Sequence, residues 1–162
     1  MPLSWAQILL LVLYALLIFA TPWISYDRTH STLSSVSHLI AQHRPSSRFV
    51  AGCAAWLLFI VLHQTGNPLA YICWLAAHGI VCFDADTHLH THIVFLILFV
   101  ILTLSLALQS LSPAVYALCG VSAVFMALLG LNMGCWNWWA SSLQNAVELV
   151  WLGVLGWWVM EM

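Results

Sequence analysis

The chain has 162 residues, 64% of them hydrophobic and 5% charged, with a formal net charge of −2 and a mean hydropathy of +1.00. Soluble domains carry about 25% charged residues, so three basic and five acidic side chains cannot make a water-facing surface for a chain of this length. Its main solvent is lipid. Lysine is absent, which argues against a nucleic-acid partner or a basic patch for a membrane surface.

A membrane span takes about 20 apolar residues, roughly 17–25. The first apolar run, 5–23, has no basic stretch before it and no A-x-A-like site after it. It therefore reads as a retained spanning helix rather than a cleaved signal peptide. The loop 24–48 follows and holds Arg28, Arg44 and Arg48, the whole basic complement apart from histidine. The positive-inside rule places this loop in the cytoplasm and both termini on the other side. Within it, Leu33, Val36, Leu39 and Ile40 recur at helical spacing behind Ser34 and Ser35 as caps. That pattern predicts a short amphipathic helix on the inner surface.

Two shorter runs come next, 49–63 and 68–83, separated by Gln64-Thr65-Gly66-Asn67-Pro68. Gly-Asn-Pro is turn chemistry, and Pro68 suits the first turn of a following helix. Each run covers about 23 Å at 1.5 Å per residue. They make either two short spans or a re-entrant hairpin, and both leave the sidedness of the later loops unchanged. The two-span reading is preferred. The runs 93–110, 114–133 and 140–158 complete the set. The fold class expected is all-α: a polytopic transmembrane bundle of about six helices, two of them short, plus the cytoplasmic amphipathic helix. It forms one domain, 1–162.

Tryptophans near the ends of the first and last runs (Trp5 and Trp23; Trp136, Trp138, Trp139, Trp157 and Trp158) fit interfacial belts. A tryptophan-rich membrane chain of this length resembles the tryptophan-rich sensory (translocator) family, but its W-x-P-P signature is missing here. The five cysteines have no C-x-x-C spacing and read as buried thiols without a disulfide framework.

Residues 83–92, FDADTHLHTH, concentrate two aspartates and three histidines at a predicted cytoplasmic boundary. Were the next helix to begin near Asp84, then Asp84, His88 and His92 would share one face at i, i+4 and i+8. Such a set can chelate a divalent transition metal. In an extended segment, His88, His90 and His92 would point the same way instead. His78 would stand at a similar depth across the helical hairpin, and His30, His38 and His43 lie in the loop on the same side. The alternative is a hydrated polar loop at the headgroup level. Phe83-Asp84-Ala85-Asp86-Thr87-His88 is similar, over about ten residues, to the aspartate-histidine signature of nickel/cobalt permeases. There the histidine directly follows D-A-D, whereas here Thr87 intervenes. The likeness implies nickel or cobalt as the metals to test. Haem is disfavoured, because His63 and His78 differ in depth by roughly 10 Å.

Gly120-Val121-Ser122-Ala123 resembles the G-x-S-G of rhomboid-type proteases, yet no histidine follows His92 to activate the serine. Ala123, Ala127, Gly130 and Gly134 instead form a stripe of small residues suited to close helix packing, within the chain or against a membrane protein partner. Glu148 sits near the middle of the last span, where an ionised carboxylate costs several kcal/mol. It must be protonated, paired or set against a polar cavity, with Gln144, Asn145 and Asn132 as its nearest polar company.

These readings favour a small non-catalytic integral membrane protein, an accessory or assembly component of a membrane system. The alternative is a nickel/cobalt-type membrane carrier or sensor with a cytoplasmic Asp/His site. A metal-dependent enzyme is the weakest class, because the sequence offers no evident nucleophile or general base near the cluster. No cofactor is implied beyond a candidate divalent metal.

Overall fold

In hydrocarbon every backbone N–H and C=O must be satisfied within the chain, which favours helices. The computed structural model describes residues 3–21, 33, 35–42, 44–110, 112–134 and 138–162, and among them every regular element is a helix. Trp23, Arg28, His30, Ser34, His43, Cys135 and Trp136 lie outside the described residues. Seven helices follow in order: α1 (Trp5–Ala20), α2 (Val36–Gln42), α3 (Arg44–His63), α4 (Leu69–Cys82), α5 (Leu89–Ala107), α6 (Pro113–Gly134) and α7 (Trp138–Glu161). Four stretches are long and apolar enough to cross a membrane: Pro45–His63, Leu89–Ala107, Pro113–Asn132 and Ser141–Glu161. The chain is an integral membrane protein.

Helix bounds differ from the sequence pattern, most of all at α3. α3 is not short: Pro45 occupies its first turn, and the polar Ser46-Ser47-Arg48 extends the helix ahead of the apolar run. α1 is described over Trp5–Ala20, and Thr21 after it keeps helical dihedrals, with its Oγ1 on the Ile18 carbonyl at 2.8 Å. A capping box starts α1. Ser4 and Gln7 exchange hydrogen bonds, and Gln7 Nε2 also donates to the Val159 carbonyl of α7 at 2.6 Å.

Packing runs α1–α3–α4–α5–α6–α7 and back to α1, a closed ring, with α2 set against α3, α1 and α7. The core is aliphatic and aromatic, with Leu10, Leu58, Leu62, Leu118, Phe125 and Leu155 almost fully enclosed. Outward positions such as Ile8, Val12, Val94, Leu98 and Val150 remain apolar and exposed, as a lipid-facing surface requires. Trp151 of α7 spends its indole N–H on Ser122 Oγ of α6 at 2.8 Å. The serine of the protease-like tetrad is thereby a helix-packing group. Ala123, Ala127 and Gly130 face outward rather than into the bundle. Of the cysteines, Cys73 is buried, Cys53 and Cys119 half-buried and Cys82 exposed, all as free thiols.

One end of the ring is closed by tight turns. Gly66 takes a φ of 70° after α3, a left-handed conformation that suits glycine. Asn67 Nδ2 then donates to Gln109 Oε1 at 3.0 Å, tying this turn to the α5–α6 connection. The opposite end carries the α4–α5 connection. There α4 and α5 approach closely at Gly79, where an added Cβ would lie 2.3 Å from the Phe95 ring. Phe95 in turn stacks on Phe83 with centroids 5.5 Å apart and planes 4° from parallel.

Gly79→Ala should therefore destabilise the protein by about 1–3 kcal/mol through overpacking. Gly52→Ala, whose Cβ meets open space, should be neutral or slightly stabilising. Thermal unfolding of both variants in one detergent checks the contrast.

Candidate functional site

Asp84 organises the turn between α4 and α5. It is 3% exposed, and one carboxylate oxygen accepts from Arg48 Nη2 of α3 at 2.7 Å. The other accepts the Asp86 and Thr87 backbone N–H groups at 3.2 and 2.8 Å and the Thr87 hydroxyl at 2.8 Å. A buried carboxylate needs this degree of satisfaction to stay ionised.

α5 begins only at Leu89, with His88 at its N-cap. Asp84, His88 and His92 consequently follow a turn into the helix instead of lying along one helix. His88 is exposed and shares a hydrogen bond with Thr87 Oγ1 at 2.7 Å. His92 is buried, with Nδ1 on the Phe83 carbonyl at 2.6 Å and Nε2 on Ser37 Oγ of α2 at 2.9 Å. In the neutral imidazole Nδ1 keeps the proton, which leaves Nε2 to accept from the Ser37 hydroxyl. His78 stands apart: Nδ1 donates to the Trp74 carbonyl at 3.1 Å and the ring packs against Trp56 and Trp74. His63 packs instead against Phe59 and Tyr71, about two helical turns along the same pair of helices. Among the described residues, no three His, Cys, Asp or Glu groups are placed to hold one metal ion.

Beside this turn lies a cavity of about 380 Å³. The α2 segment contributes Ser35, Ser37 and His38. The turn and first helical turns of α5 contribute Ala85, Asp86, Leu89, His90, His92, Ile93 and Leu96. α6 adds Leu129 and Asn132, and α7 adds Ser141, Gln144, Asn145 and Glu148. The loop cluster and the intramembrane carboxylate thus share one chamber. It forms at the ends of α5 and α6 remote from their own connection, where nothing ties those two helices together covalently.

The amide groups are arranged by the helices that carry them. Asn132 Nδ2 donates to Gln144 Oε1 across the α6–α7 pair, and Asn145 Nδ2 donates to the Leu33 carbonyl ahead of α2. Asn132 Oδ1 is buried and has no partner. The Ser37 backbone N–H lies within hydrogen-bonding reach of Glu148. So α2 is held over the chamber from α5, through His92, and from α7, through Asn145.

Three features were not apparent from the sequence: the Arg48–Asp84 pair, the Ser37–His92 contact, and the presence of Ser35 and His38 in the same chamber as Glu148. The polar side of the amphipathic segment was visible, but not what it faced. Ser37 and His92 are spaced as a hydroxyl and its base would be. A hydrolase also needs N–H donors preorganised for an oxyanion, and Asn132 and Asn145 give theirs to protein acceptors. No protein-family model, curated protein or solved structure matches the chain.

A double-mutant cycle tests the organising pair. Arg48→Met and Asp84→Asn should each cost about 1–3 kcal/mol. The double variant should lose clearly less than their sum, because the two groups share one interaction. Unfolding midpoints in detergent, converted to free energies, give the coupling.

Proposed function

We propose that this is a small non-catalytic membrane protein that binds a small solute in the chamber beneath α2, as the carrier or sensor component of a membrane system. The observation that carries this reading is the chamber itself. Apolar walls interrupted by a few convergent polar groups characterise small-molecule sites, and about 380 Å³ is enough for one. A carboxylate in a lipid-embedded helix, such as Glu148, is costly unless it is protonated, paired or set against a polar cavity.

In this reading α1 and α4 also cross the membrane, giving six spans in a single domain, 1–162. Their 16 and 14 residues reach about 24 and 21 Å, short of a roughly 30 Å core, so the bilayer thins around them. Arg28, Arg44 and Arg48 put loop 24–48, α2 and loop 84–92 in the cytoplasm, with both termini opposite. The chamber then opens to the cytoplasm. A membrane protein partner would dock on the small-residue stripe of α6, where Ala123, Ala127 and Gly130 face outward, the route by which the chain would act as an assembly subunit.

A transition-metal carrier is the second reading. Asp86, His90 and His92 line the same chamber as Glu148, and Asp84, His88 and His78 stand on its flank or one helix away. Loading would require Ser37 to release His92 Nε2.

The test is thermal unfolding in lipid nanodiscs against a panel of nickel, cobalt and zinc ions and small organic cations and anions. Wild type is compared with Leu96→Trp, which fills the chamber from its apolar wall. At least one solute should raise the wild-type midpoint and leave the filled variant unmoved. A solute present at 100 times its Kd stabilises by about 2.7 kcal/mol. A panel with no such selective shift would sink the solute-binding reading and leave the assembly role through the α6 stripe. A nickel or cobalt shift lost in His88→Ala/His92→Ala would select the metal reading.

A further inference from the structure

We infer that the protein is a carrier rather than a sensor: the chamber and a second cavity at the opposite end of α5 and α7 are the two mouths of one solute route, closed between them by the contact of Phe99 with Trp151. This inference rests on the solute-binding reading above and deepens it.

The first argument is the second cavity itself. It measures about 310 Å³ and is bordered by Thr65 after α3, Leu106 of α5, Gln109 and Ser110 beyond it, and Trp158 and Glu161 of α7. Thr65, Gln109 and Glu161 are exposed, so this cavity meets the surface, as the chamber does at Leu89 and His90. On the sidedness proposed above, one cavity faces the cytoplasm and the other the far side of the membrane. A site that only reports a solute needs one such opening, whereas alternating access needs one toward each side.

The second argument is that the same two helix faces reach both cavities. On α5, Leu96 lines the chamber, Phe99 and Thr103 follow at helical spacing, and Leu106 lines the second cavity. On α7 the corresponding row is Glu148, Trp151, Leu155 and Trp158. From Leu96 to Leu106, and from Glu148 to Trp158, is about 15 Å at 1.5 Å per residue. The hydrocarbon core of a bilayer is about 30 Å thick. The two cavities therefore leave only about half of that thickness closed.

The third argument is how the closed part is built. Phe99 and Trp151 are both buried and meet edge to face, with ring centroids 5.5 Å apart and planes at 68°, which joins α5 to α7. The Trp151 indole N–H is held by Ser122 Oγ of α6 at 2.8 Å. One side chain thus closes the gap between all three helices. A change of its rotamer would release the ring contact and the hydrogen bond together, with the helix backbones in place. The bond to Ser122 satisfies a buried indole N–H, which makes the closed arrangement the resting one.

The experiment is erythritol entry into proteoliposomes of the full chain, followed by stopped-flow light scattering. Trp151→Ala should admit erythritol about tenfold faster than wild type or more, because a constriction without its indole no longer excludes a small polar solute. Leu96→Trp, which fills the chamber, should cancel that gain when combined with Trp151→Ala. Trp74→Ala removes an indole that packs on Trp56 of the α3–α4 pair, away from the route, and should leave entry at the wild-type rate. Should Trp151→Ala not fold, Phe99→Leu thins the same contact from α5 and decides in its place, with entry about threefold faster or more. An unchanged rate in the folded variant overturns the route. So does equal entry through Trp74→Ala, or a leak that Leu96→Trp leaves in place. The route and the binding reading fail separately. A positive nanodisc panel beside a tight Trp151→Ala leaves a sensor, whereas a silent panel beside a leak stopped by Leu96→Trp keeps the route and removes the binding reading.

Discussion

The ion pair between Arg48 and Asp84 is the constraint on which the polar end of the molecule depends. Arg48 projects from the first turns of α3, and its partner lies in the turn between α4 and α5, so a single 2.7 Å contact fixes three helices relative to one another. Asp84 cannot be replaced by a generic turn residue. Its second oxygen gathers the Asp86 and Thr87 donors that shape the turn. That shape brings the Phe83 carbonyl onto His92 Nδ1, and the oriented imidazole then holds Ser37 of α2. One charge pair thus leads, through two hydrogen bonds, to the position of the element that covers the chamber. A half-exposed arginine contributes less Coulomb energy than a buried one, because water screens it. Its effect on geometry does not depend on that energy being large.

The helical class was legible because an apolar run in a chain with so few charges admits few other structures. Helix ends were harder to read. The apolar run of α3 starts at Phe49, but the helix starts at Arg44, since Pro45 and two serines are as good a first turn as any apolar residue. Hydropathy reports burial in lipid, whereas caps decide where the hydrogen-bond ladder stops.

The site was legible in pieces. Asn132 and Gln144 could be placed together from sequence because α6 and α7 form an antiparallel hairpin with a short connection. Glu148 and the cluster at 84–92 could not be. They are separated by more than fifty residues, and nothing in the pattern says that α5 and α7, on either side of α6, both border one chamber. The same limit hid Arg48: three arginines share one loop, and their sequence neighbours do not show which one finds Asp84. Long-range pairing of polar groups is decided by the order of helices around the ring, a property carried by many weak apolar contacts at once.

The two ends of the bundle divide the work of holding it together. At one end Gln7 bonds to Val159, Asn67 to Gln109 and Trp158 to Ser110, so polar groups there are spent on joining neighbours. At the other end the walls of the chamber carry Asn132, whose Oδ1 is buried without a partner, and Glu148, which the Ser37 backbone N–H reaches. In a solvent of low dielectric constant an unsatisfied acceptor costs more than it would in water. The bonds that tie α2 to α5 and α7 therefore count for more at this end than equal bonds would in water.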